Sequence, residues 1–194
     1  MVQSARVRVY LPSTLPGLRE LLDRGELGAP PLPAYAVTGA LREWYAEGDE
    51  EELEYVALSL AARASVRLLD RALVLDPATP PRRVVVVADV DAVEPAAEVD
   101  RAAVRVLQPV PLRLVRAVHV DDTAAEQDVR AAAEQLVEAD LGSEDAAFVV
   151  EQAEGHELQW YATQEIGPLL ELAQPPGDAP AAGPPGEAPG PATS

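Results

Sequence analysis

Arg82-Arg83-Val84-Val85-Val86-Val87-Ala88 decides how this chain is read. The run is β-branched and apolar at consecutive positions, so it has no polar face to turn to water. A strand with that pattern lies inside a sheet covered on both sides. Pro77, Pro80 and Pro81 isolate it from what precedes, and Asp89 and Asp91 follow it.

Upstream lies the longest helical pattern, Glu50 to Leu73, with Asp49 placed to cap it. Glu50, Glu51 and Glu52 oppose the positive end of the helix dipole, and Arg63, Arg67 and Arg71 fall in the later half. Leu53, Val56, Ala57, Leu60, Ala61, Ala64 and Leu68 form one apolar face, and Leu58, Val66, Leu69 and Leu73 a second. Burial on two sides is expected. Further upstream, Arg6 to Leu11 alternates as a half-buried strand. Ser13 or Thr14 then caps a helix with Pro16 in its first turn, a stripe of Leu15, Leu18, Leu21 and Leu22, and Gly25 or Gly28 at its end. Prolines 30, 31 and 33 lead to a short strand at Ala34–Val37, and Thr38 to a short helix at Ala40–Glu47.

Downstream, Val104–Leu107 and Leu112–Val120 read as strands, with Pro109 and Pro111 marking a bend or edge between them. Thr123 to Glu126 has capping-box spacing and opens a helix to about Asp140, with Val129, Ala132, Ala133, Leu136 and Val137 facing inward. Glu144–Ala153 fits a helix or one arm of a hairpin, and its composition leans to the helix. Glu157–Thr163 reads as a last strand and Pro168 starts a final short helix ending near Ala173. The fold class expected is α/β (α+β): a single domain at residues 4–173, with a mixed β-sheet of about four to six strands packed by helices. Residues 174–194 carry seven prolines and no large apolar side chain, the composition of a disordered tail.

The chain has 194 residues, 33 acidic against 15 basic side chains and a formal charge of −18. That field excludes nucleic acid and anionic membrane as partners and favours cationic ligands, divalent metals or basic proteins. There is no lysine and no cysteine, so Schiff-base, P-loop and thiolate chemistry are excluded, as is a disulfide role. No stretch reaches the roughly 20 apolar residues of a membrane helix, and Met1–Tyr10 has no apolar signal core; a cytoplasmic protein is expected. Missing lysine and asparagine, and Ile166 as the lone isoleucine, are the mark of a GC-rich genome.

Four segments carry a resemblance: Arg6-Val7-Arg8-Val9-Tyr10-Leu11-Pro12; Ala34 to Thr38 running into Ala40-Leu41-Arg42-Glu43-Trp44-Tyr45; Ala117-Val118-His119-Val120-Asp121-Asp122; and His156-Glu157-Leu158-Gln159-Trp160-Tyr161-Ala162-Thr163-Gln164-Glu165-Ile166. As a set they resemble an uncharacterised family of actinobacterial cytoplasmic proteins. The resemblance implies that lineage and a free-standing domain. It brings no activity with it.

Two constellations carry candidate chemistry. Alternation puts Asp89 and Asp91 on one strand face, and His119 and Asp121 on another. If the two strands run parallel, these four converge at the carboxyl edge of the sheet, where open α/β sheets bind ligands, and could hold Mg²⁺ or Mn²⁺ for a metal-assisted hydrolase or phosphotransferase. The competing structural reading makes the aspartates turn or cap residues and His119 a surface group. No other cofactor is expected. In the second constellation Tyr161, Gln164 and Glu165 are candidate ligand or partner contacts, with Trp160 read as a core anchor. Trp44 and Tyr45 are the most plausible exposed apolar patch, the feature a structural subunit of an assembly requires. No serine lies in a G-x-S-x-G context, and the acids from Glu47 to Glu54 do not follow calcium-loop spacing. The balance favours a non-catalytic accessory or regulatory protein that binds a protein or small-molecule partner, with an enzyme second.

Overall fold

The computed structural model describes residues 6–45 and 47–173. Strand β1 (Val7–Ser13) runs into α1 (Leu15–Arg24). Thr14 caps that helix: its Oγ1 accepts the Gly17 N–H at 3.1 Å, and Pro16 sits where a missing N–H costs nothing. Gly25 ends it at φ 74°, the left-handed conformation that glycine adopts without strain. Short strands β2 (Glu26–Leu27) and β3 (Leu32–Tyr35) lead to α2 (Gly39–Trp44), capped by Thr38. Asp49 and Glu52 exchange side-chain-to-backbone hydrogen bonds in a capping box that starts α3 (Glu50–Leu75).

Then come β4 (Val84–Val90), β5 (Glu94–Pro95), β6 (Ala103–Val106), β7 (Val110–Pro111) and β8 (Val115–Val120). Helices α4 (Glu126–Asp140) and α5 (Glu144–Glu154) follow, and β9 (Gln159–Ala162) and α6 (Ile166–Leu172) complete the described chain.

Seven strands form one sheet in the order β5-β6-β3-β1-β4-β8-β9, and β2 pairs with β7 in a separate ribbon. Each pairing in both is antiparallel. The valine run lies in the interior, between β1 and β8. Val84, Val86, Ala88 and Val90 pack with Leu15, Leu18 and Leu21 of α1 and Ile166, Leu169 and Leu170 of α6. Val85, Val87 and Tyr10 pack on the opposite face against Ala57, Ala61 and Ala62 of α3. Each fully buried valine contributes about 1.5–3 kcal/mol by leaving water. The α4–α5 pair builds a separate cluster. It packs on the end of α3, where Val66 and Leu69 meet Val129, Ala132, Ala133, Leu136, Val150 and Ala153.

Helices on both faces of an interior valine strand are as expected, whereas the sheet has seven strands rather than four to six and is antiparallel throughout rather than mixed. The details shift where tertiary packing decides. Strand β3 starts two residues early because Leu32 pairs with Val106. The face of α3 that is buried runs through Leu53, Ala57, Ala61, Ala62, Ser65, Val66 and Leu69, while Val56, Leu60, Ala64 and Leu68 are only half-buried. Small residues thus meet the sheet and bring the helix axis close to it. Leu112–Leu114 form a 3₁₀ turn before β8 rather than part of it. Asp122, not Thr123, is the cap that leads toward α4, accepting the Ala124 N–H at 2.9 Å. Residues 144–154 are a helix capped by Ser143. The expectation of a disordered tail at 174–194 lies outside the described residues.

Candidate functional site

The four residues read as a metal cluster are not brought together. Antiparallel pairing of β4 with β8 places Val84 opposite Val120 and Val85 opposite His119. Asp89 therefore lies four residues along β4 from His119's partner, roughly 13 Å at 3.3 Å per residue. The convergence required parallel strands. Each carboxylate is instead held by arginine. Asp89 accepts from Arg116 Nε at 2.8 Å and Arg8 Nε at 3.2 Å. Partial burial pushes its pKa up, but these two hydrogen bonds outweigh burial and hold it below the usual aspartate value. Asp91 pairs with Arg6 at 3.4 Å. Asp121 is buried and accepts from Arg83 Nε at 2.8 Å and Nη2 at 2.7 Å. Among the described residues, no three His, Cys, Asp or Glu side chains are grouped as a metal would need.

The second constellation is divided between the two faces of β9. Tyr161 packs toward the α1–α6 core, and Trp160 points to the other face, opposite His119. Trp160 is 60% exposed, so it is not the core anchor expected. Glu165 accepts the Ala162 N–H at 2.7 Å and so caps the turn into α6, while Gln164 is exposed beside it. Trp44 and Tyr45 are both exposed, as the patch reading requires, and the Arg101 guanidinium lies 3.7 Å over the Trp44 ring.

A groove that the residue patterns did not announce runs between α3 and the β8–β9 side of the sheet. Along α3, Glu51, Tyr55, Leu58 and Ala62 recur at helical spacing on one face. Across from them, Ala117 and His119 alternate on β8, and Leu158 and Trp160 do the same at β9. These residues line two cavities of about 710 and 430 Å³, which share Tyr55, Leu58 and His119. The larger also reaches Ser59, Arg63, Arg83, Glu154, His156 and Glu157. The smaller also reaches Arg8, Tyr10, Glu54, Val87 and Arg116. Sizes of this order suit small-molecule sites.

Most charge along the groove is already committed. Arg63 binds Glu154 at 2.5 Å and Asp140 at 3.5 Å. Arg83 is held by Asp121, Arg116 by Asp89, and Arg8 by Asp89 with Glu54 at 3.8 Å. Among the described residues Glu51 and Glu157 have no such partner. Burial lowers the pKa of His119 below the ordinary histidine value, and no nearby charge opposes it, so the ring is neutral at pH 7. Burial, then the Glu54 carboxylate, pushes the Tyr10 phenol far up and keeps it protonated. His156, which lines the larger cavity, has its Nε2 2.7 Å from Asp128. The arrangement offers apolar walls, aromatic faces and a neutral imidazole.

A model of the Family of unknown function (DUF6912) matches residues 7–170. The chain belongs to that family. The DUF6912 match begins at the first residue of β1 and ends within α6, so it spans the sheet and both walls of the groove. It agrees with the resemblance to an uncharacterised family that brings no activity. No curated protein and no solved structure matches the chain significantly.

Proposed function

We propose that this DUF6912 protein is a non-catalytic binding protein of the cytoplasm that works through the α3/β8–β9 groove. One observation carries the reading: Tyr10, Tyr55 and Trp160, three of only eight aromatic residues in the chain, line a single cavity. Tyr55 and Trp160 are 66% and 60% exposed there. Large exposed aromatics around a concavity are the mark of a binding surface. The arginines beside them are tied into ion pairs that build the wall, which supports binding over group transfer.

Among the described residues no helix is long and apolar enough to cross a membrane. That and the acidic, cysteine-free composition are compatible with the cytoplasm, and the GC-rich residue usage supports an actinobacterial source. The exposed Trp44 and Tyr45 favour, as a second reading, a subunit that buries this patch against a partner.

Trp44→Phe leaves Trp160 as the sole tryptophan and makes its emission a reporter of the groove. Cytoplasmic metabolites screened by that emission and by melting temperature are expected to give a binder that is left unaltered and whose effect is lost in Tyr55→Ala. A binder insensitive to Tyr55→Ala, or one that is chemically converted, overturns the proposal.

A further inference from the structure

We propose that the groove takes small organic cations, molecules that join an apolar or aromatic body to an ammonium or guanidinium group. The inference rests on the reading of the groove as the working site and adds the class of ligand.

Charge complementarity is the first ground. The smaller cavity is lined by the guanidiniums of Arg8 and Arg116 and the carboxylates of Glu51 and Glu54, and Asp89, outside the lining, binds both arginines. Two positive charges against three negative leave the site anionic, and Glu51 has no ion-pair partner among the described residues. Glu157 stands in the same position at the larger cavity. The whole chain, at −18, raises the local concentration of any cation.

The aromatic walls are the second ground. Tyr55 and Trp160 line the same cavity as Glu51, and an aromatic face attracts a cation through its quadrupole. The molecule already makes this contact once, where Arg101 lies over Trp44. Beyond the aromatic end, Leu58, Ala62 and Leu158 provide an apolar bed in the larger cavity for the rest of the ligand. His119, shared by both cavities, adds a hydrogen-bonding ring without adding a repelling charge at neutral pH.

Other ligand classes fit worse. An anion at Arg8 or Arg116 would lie beside the carboxylates of Asp89, Glu54 and Glu51, which repel it, and Arg83 is already held by its buried partner Asp121. A neutral aromatic molecule would take water from Glu51 without supplying a counter-charge.

The test uses the full-length Trp44→Phe protein and three probes with one body: phenethylammonium, phenethyl alcohol and phenylacetate. Each is titrated at pH 7.5, read by Trp160 emission and by calorimetry. Phenethylammonium is expected to bind about tenfold tighter than the alcohol, and phenylacetate most weakly. Glu51→Gln, at an exposed position on the first turn of α3, is expected to bring the ammonium close to parity with the alcohol while leaving alcohol binding unchanged. Equal or tighter binding of the alcohol, or a preference untouched by Glu51→Gln, overturns the cation assignment and leaves the groove reading standing. No saturable response from any probe overturns both.

Discussion

Among the described residues Arg83 is the largest side chain sealed from water, with its side chain 2% exposed and that of its partner Asp121 at 0%. The guanidinium gives two hydrogen bonds to the carboxylate and a third, of 2.7 Å, to the backbone carbonyl of His156. The Arg83 backbone N–H also donates to Asp121, at 2.8 Å. One ion pair therefore joins the start of β4, the end of β8 and the turn that leads to β9. Removing two charges from water costs several kcal/mol, and only the pair together offsets it. Asp121→Ala leaves Arg83 buried without a counter-charge, and urea denaturation is expected to show a loss of about 3–5 kcal/mol. The double variant Arg83→Met, Asp121→Leu should lose clearly less. Equal losses would mean that the aspartate acts through packing rather than charge. In the sequence Asp121 looks like a metal ligand because its neighbours are His119 and Asp122, whereas its partner stands 38 residues away. No local spacing reveals a contact of that range.

At the scale of elements, Ser65 shows how α3 is fixed to the sheet. Its hydroxyl donates to the Ser13 carbonyl at 2.7 Å and accepts from the Val84 N–H at 2.9 Å, joining the helix to β1 and β4 at once. Ser65→Ala leaves both backbone groups buried and unpartnered. A loss of about 1–3 kcal/mol is expected in thermal or chemical unfolding. No change would mean that water enters to replace the hydroxyl. Elements of this kind were legible where their cause is local. Thr14, Thr38 and Asp49 cap the helices that their positions announce, and the valine run is interior as its pattern requires. Strand direction was not legible, because β4 and β8 are separated by β5, β6 and β7 and no local pattern records how the chain returns. The groove escaped for a related reason. Tyr55 and Leu58 lie on a side of α3 that reads as an ordinary amphipathic face until β9 stands opposite it. Trp160 looked like core because tryptophan usually is, and only the sheet's edge leaves it open.

At the scale of the molecule, the excess of carboxylates sets the response to salt. At 0.01 M ionic strength the screening length is about 30 Å, so acids across the whole surface repel one another, while at 0.15 M it is about 8 Å. The exposed ion pairs, such as Arg42 with Glu50 and Arg67 with Asp140, weaken over the same range but are worth little individually. Self-repulsion at a charge of −18 is the larger effect. The melting temperature is therefore expected to rise by about 2–4 °C between these two concentrations, a gain of about 1 kcal/mol. A fall on calorimetric scanning would show that pairwise attractions dominate.

The register of β1 against β4 has a consequence for biosynthesis. The residues joined in that ladder are 71 to 83 positions apart in the chain, from Ser13 with Val84 to Val7 with Val90. A ribosome must therefore release nearly half of the polypeptide before the first strand meets its principal neighbour. In that interval α3, whose bonds close within one turn, can coil on its own while the apolar edge of β1 waits. Sheet assembly is then slow relative to helix formation, and a nascent chain stalled before Val84 would be a substrate for chaperones.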